Sequence, residues 1–162
     1  MKNYVGGIIR NARNQKKLTT AFVASVCGLT EASYEDVETY GSEFFDNISL
    51  GEARRICDVM QLNLLDLVAK YLAVQIRETK PLTRSQYFSR HNLITEARVK
   101  HGMSECSLGN AVGFEETSIV SMERSSDFME VLPITLLVDI ANALGLDLGL
   151  LIGSLSKDAQ AS

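Results

Sequence analysis

The sequence is poor in the residues that often mark metal sites and disulfide frameworks. It has no tryptophan, two histidines, three cysteines and two prolines among 162 residues. The cysteines are scattered and form no C-x-x-C pair, and neither histidine is spaced to share a metal ion with them. We therefore expect no metal and no disulfide framework, with cysteine acting as a small core residue in a reducing cytoplasm.

Long apolar runs and catalytic patterns are also missing. No apolar run approaches the roughly 18 residues that a membrane span requires. The first residues lack the apolar core of a secretory signal. No serine–histidine or cysteine–histidine arrangement and no phosphate-binding glycine loop can be assembled from the sequence. We expect a cytoplasmic protein without membrane contact, enzymatic activity or cofactor.

An excess of basic residues, typical of nucleic-acid binders, is absent as well. The net charge is −4, distributed as −1 over residues 1–75, +3 over residues 76–90 and −6 over residues 91–162. The one basic concentration holds Arg77, Lys80, Arg84 and Arg90. These side chains would form either an arm along a DNA backbone or a solvated connector.

What the sequence does contain is a repeat. A shift of 85 positions, reduced by one in a loop, aligns apolar and turn residues of the two halves. The aligned pairs are Ile9 and Ile94, Ala12 and Ala97, Arg13 and Arg98, Gly28 and Gly113, Glu38 and Glu123, Ile56 and Ile140, and Leu64 and Leu148. Repeats are sought first because they fix the architecture. We predict one domain over residues 1–75, a linker over 76–85, a second domain over 86–153 and a flexible tail over 154–162.

Each half is predicted to contain five short helices, which makes the fold class all-α. Helix starts are indicated by N-cap residues, and the turns after the second helices by glycine. The N-caps expected are Thr19, Thr30, Ser49, Asn63, Ser104 and Asp147, and Pro133 is expected at the first helical position of its helix. Phe22, Val23 and Val26 are expected to point inward. The fifth helix is expected to be long, "LLDLVAKYLAVQI", residues 64–76.

Two stretches, "LTTAFVASVCGLTEASYEDVETYG" and "MSECSLGNAVGFEETSIVSMERS", resemble the helix-turn-helix of the Cro/lambda-repressor family of bacterial and phage regulators. "ITLLVDIANALGLDLGLL" is similar to the closing helices of that family. The resemblance implies two tandem five-helix lambda-repressor-like domains in a transcriptional regulator that binds double-stranded DNA. It also implies that each third helix enters a major groove. We expect a homodimer, formed through leucine and valine of the fifth helix.

The resemblance, together with the basic segment, supplies candidate DNA-contacting residues. They are Arg10, Thr20, Thr30, Ala32, Ser33, Arg84, Thr117, Ser118, Ser121 and Arg124. The base-facing positions of the second copy would be Glu116, Thr117, Ser118, Val120 and Ser121. We expect Arg13 and Arg98 to pair with Glu38 and Glu123 as structural ion pairs rather than to contact DNA.

The first copy departs from the family in its charge. Its third helix holds Glu31, Glu35, Asp36 and Glu38 and has no lysine or arginine. A carboxylate can accept a hydrogen bond from cytosine, but several of them are repelled by the phosphates of a duplex. Two interpretations therefore stay open. One is a DNA-binding regulator, and the other is a scaffold that binds protein, as an antiactivator or antirepressor.

Overall fold

The computed structural model describes residues 4–157 and divides the chain into two compact units, Met1–Gln75 and Ile76–Ser162. The described part is all-α and contains no strand, only an isolated bridge between Leu82 and Leu155. No helix in this part of the chain has both the length and the apolar character needed to cross a membrane. The all-α class expected from the sequence is therefore confirmed.

Within residues 4–75, the first unit contains six helices, α1 to α6. They are Val5–Gln15, Thr20–Cys27, Glu31–Thr39, Glu43–Asp46, Leu50–Met60 and Leu64–Tyr71. Their starts follow from local chemistry, because the side chains of Thr19, Thr30, Ser49 and Asn63 each accept a hydrogen bond from a backbone N–H of the first turn. Such N-caps each contribute about 1 kcal/mol. All four were expected from the sequence.

The core of the first unit is formed by one face of each longer helix. Ile9 of α1, Val23 of α2, Val37 of α3 and Ile56 of α5 are each completely buried. Helix α1 approaches α3 so closely that a side chain at Gly6 would collide with the carbonyl oxygen of Val37. Close helix contact at a glycine fixes where α3 lies relative to α1.

In the described part of the second unit, residues 76–157, there are seven helices, α7 to α13. They are Arg84–Phe88, Arg90–Lys100, Glu105–Val112, Glu116–Arg124, Ser126–Met129, Ile134–Leu144 and Leu148–Ile152. The bounds of α8, α9 and α10 equal those of α1, α2 and α3 moved by 85 positions, and α12 equals α5 moved by 84. The order and lengths of these four helices therefore repeat, with one residue fewer between α10 and α12 than between α3 and α5. The last helices differ in length, since α6 has eight residues and α13 has five.

The helix count differs from the five that we predicted for each half. The short helices α4, α7 and α11 are additional, and each has at most five residues. The fifth helix of the first half is shorter than predicted, because α6 ends at Tyr71 and Ala73 adopts a left-handed backbone with φ of 52°. Pro133 immediately precedes α12 as its N-cap instead of occupying the first helical position.

The inward face of α2 also differs from the prediction. Its buried residues are Val23, Ala24 and Cys27, whereas Phe22 is 52% exposed and Val26 is 46% exposed. Phe22 and Val26 lie four residues apart and share one helical face, which is turned away from the core. The expectation that both point inward was wrong, since the set one position further along the helix fills the core.

Residues 76–85, for which we expected a linker, make ordered contacts within the second unit. The backbone N–H groups of Arg77 and Glu78 donate to the carboxylate of Asp147. Leu82 donates to the carbonyl of Ser154 at 2.8 Å and accepts from Ser156 at 2.9 Å. Of the tail expected over 154–162, residues 154–157 are described and residues 158–162 lie outside the described part of the chain.

Candidate nucleic-acid interface

A buried ion pair fixes the third helix of the first unit. Arg13 on α1 donates from Nε and Nη2 to the two carboxylate oxygens of Glu38 on α3, at 2.6 and 2.8 Å. Its Nη1 donates to the carbonyl of Leu18 at 2.9 Å. The side chain of Glu38 is only 4% exposed, so this bidentate contact is nearly free of solvent. It ties the C-terminal turn of α3 to α1 and leaves the opposite face of α3 outward.

The second unit repeats this pair atom for atom. Arg98 on α8 donates to the carboxylate of Glu123 on α10 at 2.6 and 2.8 Å, and to the carbonyl of Met103 at 2.8 Å. Arg98 also donates to Glu105, at the start of α9, at 2.8 Å. The structural role that we expected for Arg13 and Arg98 is therefore confirmed.

The pKa values of these groups reflect both burial and pairing. Burial alone would raise the pKa of Glu38, but the hydrogen bonds and positive charge of Arg13 outweigh it, so the pKa of Glu38 lies below its ordinary value. The hydrogen bond to Glu38 raises the pKa of Arg13, and the hydrogen bond to Glu123 raises the pKa of Arg98. The Arg13–Glu38 pair therefore stays charged at neutral pH.

The outer face of α3 is acidic and polar. Ala32, Ser33, Glu35 and Asp36 are all exposed there, as the sequence pattern predicted. Thr30 caps the helix, and its hydroxyl lies 2.8 Å from that of Ser33. One hydroxyl group of this pair therefore donates to the other. This face presents carboxylates outward with no cation between them.

Two further candidates of the first unit are held by acidic or carbonyl partners. Arg10 donates to the carbonyl of Glu38 at 2.9 Å and lies 3.4 Å from the Glu38 carboxylate. Thr20 donates to the Glu31 carboxylate at 2.5 Å. The Thr20 hydroxyl would have to release Glu31 before donating to a phosphate. Arg10 has five N–H donors and would reach a phosphate with those that Glu38 does not accept.

The outer face of α10 has a different composition. Thr117, Val120, Ser121 and Arg124 follow the spacing that places residues on one side of a helix. Thr117 and Arg124 are exposed, and Val120 and Ser121 are half-buried. The Ser121 hydroxyl donates to the carbonyl of Thr117 at 2.9 Å. We call these four residues the α10 stripe; it contains no carboxylate.

Several neighbours of the α10 stripe bear on its chemistry. Ile119 and Met122 are completely buried and anchor the opposite face of α10. Ser118 is half-buried beside the stripe. Glu116 is exposed in the first turn, whereas Glu105 and Glu123 are paired with Arg98. Arg98 carries a single positive charge, so it offsets one of the two negative charges of Glu105 and Glu123, and one negative charge remains beside α10.

The basic segment does not act as one group. Arg84 is exposed at the start of α7 and lies over the ring of Phe88 at 5.8 Å. Arg90 is completely buried, so it cannot belong to a solvated arm. It donates to the carbonyls of Tyr87, Leu151 and Ser126 and to the carboxylate of Glu130. Arg90 therefore acts as an internal tie of the second unit.

The described residues give the candidate interface neither a metal site nor a histidine. Among residues 4–157, no group of three or more histidine, cysteine, aspartate or glutamate side chains is placed to hold a metal ion. Nδ1 of His91 lies 2.8 Å from the hydroxyl of Ser126, and Nε2 of His101 lies 3.1 Å from the carbonyl of Leu144. Each histidine ring therefore contacts a polar atom within the second unit.

Comparisons with protein-family models, with curated proteins and with solved structures gave no match. The resemblance to the Cro/lambda-repressor family therefore stays a prediction from the sequence. Val120 was among the base-facing positions expected from the sequence but was left out of the DNA-contacting candidates, and the structure places it between Thr117 and Arg124 on the α10 stripe. The spacing of three residues from Thr117 and four from Arg124 was the signal that identifies it.

Proposed function

We propose that the chain is a transcriptional regulator that binds double-stranded DNA through repressor-like helix-turn-helix domains, with the second unit as the principal reader. The α10 stripe is the observation that supports this assignment. It turns small polar, apolar and cationic side chains outward from a helix whose other face is buried. A helix with that surface suits the major groove, which admits one α-helix.

The local charges of the second unit are compatible with this role. Glu105 occupies the helix position where family members often carry a DNA-contacting glutamine, but its carboxylate is held at 2.8 Å by Arg98. Arg124 and Arg84 are exposed cations that can contact phosphates. If each contacts one phosphate, the logarithm of the binding constant changes with the logarithm of salt concentration with a slope of about −2.

A second function is favoured by the first unit. Its third helix turns Glu31, Glu35 and Asp36 to solvent, and its second helix exposes Phe22 and Val26. Carboxylates and exposed apolar side chains suit a basic protein surface better than a phosphate backbone. The alternative proposal is that this protein acts through protein–protein contact, as an antiactivator or antirepressor that lacks DNA binding.

A DNA selection experiment separates the two proposals. The full chain is used to select duplexes from a random library, and affinity for the selected duplex is measured by fluorescence anisotropy at about 50 and 200 mM salt. We expect sequence-selective binding that weakens about tenfold between these concentrations, given a slope near −2. Replacing Ser118 and Ser121 together with glutamate should abolish binding, because both would place carboxylates against the groove.

The first unit supplies the matched control. Ser33 is the counterpart of Ser118, and Ser33→Glu should leave affinity within about twofold if the second unit is the reader, since α3 is already acidic. Absence of selective binding at low salt would contradict the DNA proposal. Recovery of a basic regulatory protein with the wild-type chain, but not with Glu35→Lys/Asp36→Lys, would then support the alternative. Light scattering on the same samples tests the homodimer, which stays a prediction.

A further inference from the structure

We infer that the α10 stripe recognises thymine by its methyl group, so that the sequence bound by the second unit is defined by thymines and not by guanines. This inference rests on the proposed DNA binding and specifies its ligand. The side chains proposed to contact thymine are Thr117 and Val120, the two residues of the stripe that carry methyl groups beyond Cβ.

The geometry brings these methyl groups to one face. Thr117 and Val120 are three residues apart in α10, and Arg124 follows four residues after Val120. Residues at such spacings are neighbours on the helix surface. Because Ile119 and Met122 are completely buried, the face that carries Thr117 and Val120 is directed away from the core. A partner that lies against α10 therefore meets the methyl groups.

Helix α10 lacks, before its last residue, the side-chain types that commonly read guanine and adenine. Guanine is commonly read by arginine or lysine, and adenine by asparagine or glutamine. None of these residue types occurs in α10 before Arg124 in its last turn. The hydroxyl hydrogen of Ser121 is donated to the carbonyl of Thr117 at 2.9 Å. The C5-methyl of thymine is the apolar group of the major groove, and it matches what the stripe offers.

The first unit lacks this capacity at the same helical positions. Thr117, Val120 and Ser121 correspond to Ala32, Glu35 and Asp36 when the helices α10 and α3 are matched end to end. Two carboxylates stand where the second unit has valine and serine. A carboxylate would face the acceptor atoms of thymine and adenine in the groove, which is unfavourable. Only the methyl group of Ala32 remains in the first unit, so the paired methyl contact of Thr117 and Val120 is confined to the second unit.

The test compares a selected duplex made with thymine against the same duplex made with uracil. The full chain is titrated with both, and single thymines are then replaced one at a time. Uracil lacks only the C5-methyl group, so charge and base pairing are unchanged. Loss of one buried methyl contact weakens binding about fourfold. We expect about fourfold weakening for each of two thymines and no change for the others.

Variants assign the effect to named residues. Val120→Ala and Thr117→Ser should each weaken binding to the thymine duplex a few-fold, and the loss should be absent on the duplex with uracil at the matching position. Val99→Ala is the matched control, because Val99 is 63% exposed on α8 and lies outside the stripe. The affinity of the Val99→Ala variant for both duplexes should equal that of the wild-type protein.

The outcomes are distinguishable. Equal affinity for thymine and uracil duplexes would overturn the inference and leave the DNA-binding proposal standing. Uracil sensitivity that persists unchanged in Val120→Ala and Thr117→Ser would also overturn it, because the methyl groups would then be read elsewhere. Failure to select any duplex would overturn the DNA-binding proposal itself, and the inference with it.

Discussion

Replacing Glu38 with glutamine is expected to destabilise the first unit strongly. Glu38 is nearly buried and accepts two hydrogen bonds from Arg13, at 2.6 and 2.8 Å. Glutamine has the same size but only one acceptor oxygen, so its amide group would meet a guanidinium nitrogen that also donates. The charge of Arg13, whose side chain is 13% exposed, would then lie without its counter-charge.

The magnitude follows from these contacts. Removing one partner of a buried ion pair costs about 3–5 kcal/mol. The lower end is expected here, about 3 kcal/mol, because Arg13 keeps its hydrogen bond to the carbonyl of Leu18 and glutamine keeps one acceptor. The loss of the Arg10 contact adds little, since Arg10 is 43% exposed and screened by solvent. A unit of this size has a total stability on the order of 5–10 kcal/mol, so the effect is large.

The assay can report mainly on the first unit. The chain has no tryptophan, and of its five tyrosines only Tyr87 lies outside Met1–Gln75. Urea unfolding followed by tyrosine fluorescence therefore follows the first unit, and circular dichroism follows the whole chain. Glu35→Gln is the control, because Glu35 is exposed on the same helix and should change stability by at most about 0.5 kcal/mol. A loss below about 1 kcal/mol for Glu38→Gln would refute the reasoning.

Lowering the pH provides a second test of the Arg13–Glu38 ion pair. The pKa of Glu38 is lowered in the folded state from an ordinary value of 4.5. The unfolded state therefore binds the proton more tightly, and the stabilisation is complete above the unfolded pKa and lost as pH falls through the folded one. Wild-type stability should decline in this acid range more steeply than that of Glu38→Gln. Parallel pH profiles would show that the carboxylate contributes nothing.

Two further predictions concern the packed segment and the thiols. Gly149→Ala should release residues 76–80, because the added methyl group would collide with the carbonyl of Glu78; faster trypsin cleavage after Arg77 checks this. Gly7→Ala, whose methyl group would make only an ordinary contact of 3.8 Å with the Tyr4 ring, is the control, and equal cleavage rates would contradict the prediction. In native protein near pH 8, a thiol reagent should modify Cys106 alone, since burial raises the pKa of Cys27 to about 11 and of Cys57 to about 12. Rapid modification of a second thiol would refute this.

Much of the helical frame was predictable because its signals are local. Thr19, Thr30 and Ser104 each identify a helix start by the hydrogen bond that their side chains accept. Glycines at 28 and 113 mark turns because each adopts a positive φ. The pairs Arg13–Glu38 and Arg98–Glu123 were predictable because the repeat placed the same two residue types at the same separation.

The features that could not be predicted depend on contacts between residues that are distant in sequence. Arg90 belongs to a basic segment and would be assigned to solvent, yet its partners Ser126 and Leu151 lie 36 and 61 residues away. Helices of four or five residues, such as α11, are too short to show a periodicity. The assignment of Phe22 and Val26 failed because Val23 and Cys27 show the same spacing and only packing selects between the two sets. The α10 stripe could be recognised from the spacing of its residues, but the sequence of α10 alone does not identify its binding partner.

The matching bounds of the helices in the two units have a consequence for how such a protein can change. In a symmetric dimer every substitution occurs twice, so both copies of a surface are altered together. Here the outer faces of α3 and α10 are encoded separately on a frame that keeps the same helix bounds and the same internal ion pair in both units. One copy can become acidic at Glu35 and Asp36 while the other keeps valine and serine. Covalent duplication thus gives this chain two independently adjustable faces.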